Sequence, residues 1–239
     1  MPSTTSFLAL PDLHDKADAV KAITRPLSQA DFVLLPGDMT NGSVHHLLRL
    51  LDIVEEVNEA IYAVPGNLDT PQILAHLSRE GCSLHRTHVA YEDFVLAGIG
   101  GALPFAGKFV FSEAQLATML EEAVRGAPNL PLVLVCHQPP YGTACDCLSD
   151  GQHVGSRAVR DFILRVQPLL CFTGHIHEAQ AVDTLGQTRI INPGPLWLSQ
   201  AYAYAEIRAG QVTSCEIRPI TPDDILSKRS SRPSEDDAP

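Results

Sequence analysis

The sequence predicts an α/β fold in which a β-rich C-terminal third adds a second sheet to the first. Three observations carry this. Compact apolar runs alternate with stretches of helical spacing as far as residue 166. Most of those runs end in a short loop of Gly, Pro, Asp, Asn or His. From about residue 189 to Ile220 the pattern is strand and turn, without a clear helix.

The elements follow in order. Phe7 to Leu10 reads as a short strand, and Asp15 to Ala30 as a helix with apolar residues at Ala19, Val20, Ile23 and Leu27. Asp31 to Leu35 is a compact apolar strand. Ser43 to Ala60 is a second helix with Leu47, Leu50, Leu51, Val54 and Val57 along one face. Ile61 to Val64 is a third strand, and Thr70-Pro71 reads as an N-cap followed by proline at the first helical position. Phe94 to Gly100 is a strand, Ser112 to Arg125 a helix, Leu132 to Cys136 a buried strand and Ser156 to Val166 a helix. Pro168 to Phe172 and Arg189 to Ile191 are further strands.

The 239 residues, 45% hydrophobic and 19% charged, suffice for one large globular domain. We expect that domain over residues 1–220 and a disordered polar tail over 221–239. A net charge of -11 gives no general attraction for nucleic-acid backbones or anionic membranes, so long nucleic acid is a poor candidate partner. Of the 6 cysteines, Cys136 and Cys171 lie in apolar runs and read as core thiols. Cys145 and Cys147 are closer together than a zinc pair and read as free loop thiols. Met1 to Ser6 carries no basic region, and no run approaches the roughly 20 apolar residues of a membrane span. A reducing cytoplasm is the expected compartment.

In open α/β sheets ligands gather beyond the carboxyl ends of the strands. Here those loops carry Asp12-Leu13-His14, Gly37-Asp38, Gly66-Asn67-Leu68-Asp69, His137-Gln138 and Gly174-His175-Ile176-His177. Carboxylate, amide and imidazole without thiolate suit manganese, iron or zinc better than calcium or magnesium alone. Seven such residues exceed the four of a single tetrahedral site. Two ions about 3.5–4 Å apart would use them with one shared carboxylate, and Asp38, beside a glycine, is the natural bridge.

In this order the motifs resemble the calcineurin-like metallophosphoesterases, whose signature is D-x-H, G-D, G-N-H-[DE], a lone histidine and G-H-x-H. The resemblance covers roughly Leu8 to Gly194, including the Asn192-Pro193-Gly194 turn. It implies a four-layer α/β/β/α sandwich of two mixed sheets flanked by helices. It implies one metal on Asp12, His14, Asp38 and His177 and another on Asp38, Asn67, His137 and His175, with Asp38, Asn67 and His175 as the expected catalytic residues. The activity expected is hydrolysis of small phosphate mono- or diesters by in-line attack of a metal-bridging hydroxide.

One position departs from the pattern. The family's asparagine motif continues with histidine, which touches the phosphate or protonates the departing oxygen; here it is Leu68. General-acid catalysis contributes about 10²–10⁴-fold, so poor leaving groups should suffer most. Tyr141 and His153 are possible substitutes by loop position. Leu68 also favours an alternative, a scaffold of this fold that acts through protein interaction without turnover. Of the other polar residues, Asp15 should cap the next helix or orient a ligand histidine, with capping the stronger expectation. Asp69 should support a ligand. His45 and His46 should be solvated, and His76, His85 and His88 structural or superficial.

Overall fold

The computed structural model describes residues 3–225, and its strands form two mixed sheets. The first has the order β11 (Gln211–Pro219), β10 (Ala201–Arg208), β1 (Thr4–Ala9), β2 (Phe32–Pro36) and β3 (Ile61–Val64). The second has the order β4 (Thr87–Ala90), β5 (Val95–Ile99), β6 (Leu132–Cys136), β7 (Leu170–Phe172), β9 (Thr188–Asn192) and β8 (Ala181–Leu185). β1, β2 and β3 run parallel, as do β5, β6, β7 and β9; β4, β8, β10 and β11 are antiparallel to their neighbours.

Period-two alternation along the strands makes the layers. Phe7, Ala9, Phe32, Leu34 and Val64 of the first sheet meet Phe94, Leu96, Val133, Val135 and Phe172 of the second. Phe7 stacks on Phe32 with centroids 4.6 Å apart and meets Phe172 edge-on at 5.5 Å. The intervening residues face outward. Leu8, Leu10, Val33 and Leu35 pack under α2 (Val44–Glu55) and α3 (Pro71–Arg79), while Leu134, Cys136 and Cys171 pack under α4 (Glu113–Ala123) and α5 (Arg157–Val166). Strands buried on both faces have no polar side, which is why they read as unbroken apolar runs. The result is the expected helix, sheet, sheet, helix sandwich.

Four expectations change. The single helix over 15–30 is a 3₁₀ turn, Ala17–Ile23, followed by the separate short helix α1, Thr24–Gln29. Pro26 has no N–H to give to a preceding turn, but it is harmless in the first turn of a helix that restarts at Thr24. Thr70 precedes α3 and Pro71 opens it, yet the threonine side chain makes no capping bond. Ser43, Ser112 and Ser156 do cap α2, α4 and α5. The C-terminal third, expected without a helix, contains the single turn α6, Leu196–Ser199. The region expected as a tail starts with an ordered turn, Pro222–Asp224, whose Asp224 accepts from Thr221 N at 2.7 Å. Residues 226–239 of that expected tail lie outside the described residues.

Candidate metal centre

The loops after β1, β2, β3, β6 and β7 converge at one end of the two sheets. They are stitched together by backbone bonds: Asp12 N to Gly37 O (3.0 Å), His14 N to Asp38 O (3.0 Å) and Gly174 N to His137 O (3.2 Å). Gly37 is required twice over. Its φ is 91°, and a Cβ there would lie 2.3 Å from His137 Nδ1. A Cβ on Gly66 would lie 2.1 Å from Asp38 Oδ1. Asp12, His14, Asp38 and His175 all adopt the left-handed backbone, with φ of 55°, 45°, 47° and 68°. Each costs of order 1–3 kcal/mol, and such strain clusters where a site dictates side-chain direction.

All seven predicted residues meet there. Asp12, His14 and His177 form one group, and Asp38, His137 and His175 another, each with its potential ligand atoms within 4.8 Å of one another. Asp38 Oδ2 reaches into both, 3.9 Å from His14 Nε2 and 3.7 Å from His137 Nε2. Asn67 Oδ1 lies 3.0 Å from His137 Nε2.

The donor and acceptor pattern fits cations. Asp12 Oδ2 accepts from His175 N at 2.9 Å, but Oδ1 is buried without a partner, the only such side-chain atom among the described residues. His137 Nδ1 faces the Pro36 carbonyl at 2.8 Å, so the neutral ring donates there and turns the lone pair of Nε2 toward the centre. That lone pair meets another, because Asn67 Nδ2 donates to Ala106 O at 3.0 Å and so directs Oδ1 at the histidine. His14 is oriented in the same way. Its Nδ1 faces Asn41 Oδ1 at 3.0 Å, and its Nε2 faces His177 Nε2 at 2.9 Å. Electron pairs converging from carboxylate, amide and imidazole lack an electron-pair acceptor, and a metal ion is one.

Burial, reinforced by the charge of Asp12, pushes the Asp38 carboxyl up to about 7. Burial first, and then His137, depresses His175 to about 3. Burial also acts to raise Asp12, but the approach of His177 Nε2 to within 3.6 Å of Oδ1 and the neighbouring imidazoles outweigh it and hold the carboxyl low. The same close approach of the Asp12 carboxylate raises His177 against burial.

The supporting residues differ in part from expectation. Asp15 caps nothing. It accepts from Asn41 N at 3.1 Å, Asn41 Nδ2 at 2.8 Å and His46 Nδ1 at 2.8 Å, and Asn41 in turn holds His14. Its link to the histidine is therefore relayed, and His46, though largely exposed, is paired. Asp69 clamps the β2 and β3 loops by accepting from Met39 N, Thr40 N, Thr40 Oγ1 and Gly66 N at 2.9–3.3 Å. Burial and then the Asp38 charge push its pKa up to about 7, yet four donors surround it. Trp197 Nε1 donates to Asp12 O at 3.0 Å. Sequence reasoning missed Asn41 and Trp197; the one available signal was that Trp197 follows the Asn192-Pro193-Gly194 turn. His85 is half-buried, and its Nδ1 accepts from Gly100 N at 2.9 Å. Cys145 and Cys147 belong to a turn organised by Asp146, which accepts from Gly142, Thr143, Gly155 and His153. All 6 cysteines are free thiols.

The family model described as calcineurin-like phosphoesterase matches residues 5–179. The chain belongs to that family. The uncharacterized protein MJ1162 of Methanocaldococcus jannaschii is 30% identical to it over 200 residues, 79% of this chain and 88% of the relative. Among solved structures, TT1561 of Thermus thermophilus superposes with a TM-score of 0.70 at 20% identity, covering 92% of this chain and 100% of that one. A dimetal phosphatase from Danio rerio superposes at 0.59 and 13% identity, again over 92% and 100%. At these identities the likeness is one of fold. Family membership makes a metal-dependent hydrolase the class of this phosphoesterase. No helix among its described residues is long and apolar enough to cross a membrane.

Proposed function

We propose that this chain hydrolyses small phosphate esters at a dimetal centre within a single catalytic domain, residues 1–220. One ion is assigned to Asp12, His14, Asp38 and His177, the other to Asp38, Asn67, His137 and His175, with Asp38 shared. The observation that carries the reading is the set of unopposed electron pairs: Asp12 Oδ1 buried without a hydrogen-bond partner and His137 Nε2 set against Asn67 Oδ1. Manganese, iron or zinc fits these donors. When bound, two such ions supply an activated water and neutralise phosphoryl charge.

The chain's own contribution is orientation. Pro36 O and Asn41 Oδ1 fix the tautomers of His137 and His14, Asp69 fixes the spacing of the Asp38 and Asn67 loops, and Trp197 holds the Asp12 backbone. Asp38, Asn67 and His175 are the residues assigned next to the reacting phosphate. Leu68 gives its backbone N–H to Asp38 Oδ1 at 2.7 Å, and its side chain has no proton to offer. His153 and Tyr141, the other candidate donors, make no hydrogen bond to the seven residues assigned to the metals. His153 Nδ1 is engaged by Asp146 at 2.7 Å, and Tyr141 lies beneath Arg157 at 4.0 Å. Esters with acidic leaving groups, diesters among them, are therefore the favoured substrates. Six free thiols support a cytoplasmic assignment.

The test is turnover of bis-p-nitrophenyl phosphate by chelated protein reloaded with manganese, beside His175→Ala. We expect manganese-dependent turnover that falls by more than ~100-fold in the variant, beyond the usual cost of losing a mere supporting residue. No turnover with manganese, zinc or iron would transfer the assignment to the scaffold alternative that Leu68 favours.

A further inference from the structure

A cleft of about 280 Å³ opens beside His175. Its lining includes Leu103, Phe105, Leu148, Val154 and Ile176, together with Gln138. Gln138 is fully buried, and both ends of its amide are engaged: Oε1 accepts from Leu103 N at 2.9 Å, and Nε2 donates to Val154 O at 3.1 Å. The wall thus offers apolar surface without an amide group left to read a hydrogen-bonding edge. Phe105 is 93% exposed, an aromatic ring on the rim with its face in solvent. Its loop is tied to the centre, because Asn67 O accepts from Lys108 N at 3.0 Å and Phe109 N at 3.2 Å, and Asn67 Nδ2 donates to Ala106 O.

We propose that this cleft is the subsite for the organic group of the substrate and that the group is an aryl ring. The assignment rests on the dimetal reading above. Two independent features select the ring. The cleft borders His175, so a group esterified to a phosphate at the centre reaches it, and its size, just below the roughly 300–1,000 Å³ of whole-ligand pockets, suits one ring. Leu68 removes the family's proton donor, and an aryl oxide leaves without one, whereas an alkoxide does not. An apolar wall with an exposed aromatic is matched to a ring face, by area burial and by stacking.

The test is calorimetric binding of phenylphosphonate and methylphosphonate to the manganese-loaded full chain, with no turnover involved. The wild type should bind the phenyl compound at least ~10-fold more tightly, as burial of a ring's apolar area implies. Phe105→Ala, at a solvent-facing position, and Leu148→Asn, also in the cleft lining, should each reduce that ratio to below ~3-fold. Equal affinity for the two phosphonates in the wild type, or a ratio unmoved in both variants, would overturn the cleft assignment alone. Absence of binding by either phosphonate would overturn the dimetal reading beneath it.

Discussion

Asp69→Asn probes the clamp between the two loops that carry Asp38 and Asn67. In the wild type Oδ1 accepts from Thr40 N and Thr40 Oγ1, both at 3.1 Å, and Oδ2 accepts from Met39 N at 3.3 Å and Gly66 N at 2.9 Å. An asparagine that keeps its oxygen toward Thr40 turns its NH₂ toward the other two N–H groups. Two buried donors lose their acceptor and meet a donor instead. Each such group costs about 1–3 kcal/mol, the long Met39 contact less than the short Gly66 one. Loss of a buried charge beside Asp38 returns part of this. The net expectation is a destabilisation of about 2–4 kcal/mol. Urea unfolding in chelator should show it as a lower midpoint with an unchanged slope. The loosened loops should also weaken manganese binding by about 10–100-fold. Trp197, the only tryptophan of the chain, is bonded to the Asp12 carbonyl and supplies the fluorescence readout. A stability loss below about 0.5 kcal/mol, or an unaltered manganese affinity, would refute the reasoning.

Three further outcomes follow from the same structure. His85 is depressed from 6.5 to about 4 by burial and then by Arg86, so it is neutral when folded while the unfolded chain takes up a proton below 6.5. Stability in chelator should fall from pH 6.5 to 4 and this component then level off. His85→Gln should reduce that loss by about 2–3 kcal/mol, and parallel profiles would contradict the assignment. Leu68→His should raise turnover of alkyl phosphates by about 10-fold or more and leave p-nitrophenyl esters nearly unaffected, as kcat on paired substrates will show. Gly37→Ala should abolish manganese binding measured by Trp197 fluorescence, because its Cβ would occupy the space of the His137 ring that points Nε2 at the centre.

Much of the fold was legible because the central strands are buried on both faces and stand out as apolar runs. β4 and β8 were missed for the converse reason. They are edge strands whose residues are mostly half-buried or exposed, as in Ala181–Leu185, so they lack the run that marks the others. The candidate site was legible residue by residue because each ligand type follows a strand end, and five such loops meet when the strands align. The layer behind it was not. Asn41 touches His14 from 27 residues away and Trp197 touches Asp12 from 185 away, separations at which local spacing carries no signal. Asp15 looked like a cap because it precedes a helical pattern, but its left-handed backbone, with φ of 66°, turns its side chain to Asn41 instead.

Anomalous diffraction at the manganese edge, from crystals of the metal-loaded chain, reports whether two ions sit between these loops. Two peaks about 3.5–4 Å apart with Asp38 touching both are expected. A single peak, or peaks away from Asp12, Asp38 and His137, would contradict the dimetal assignment.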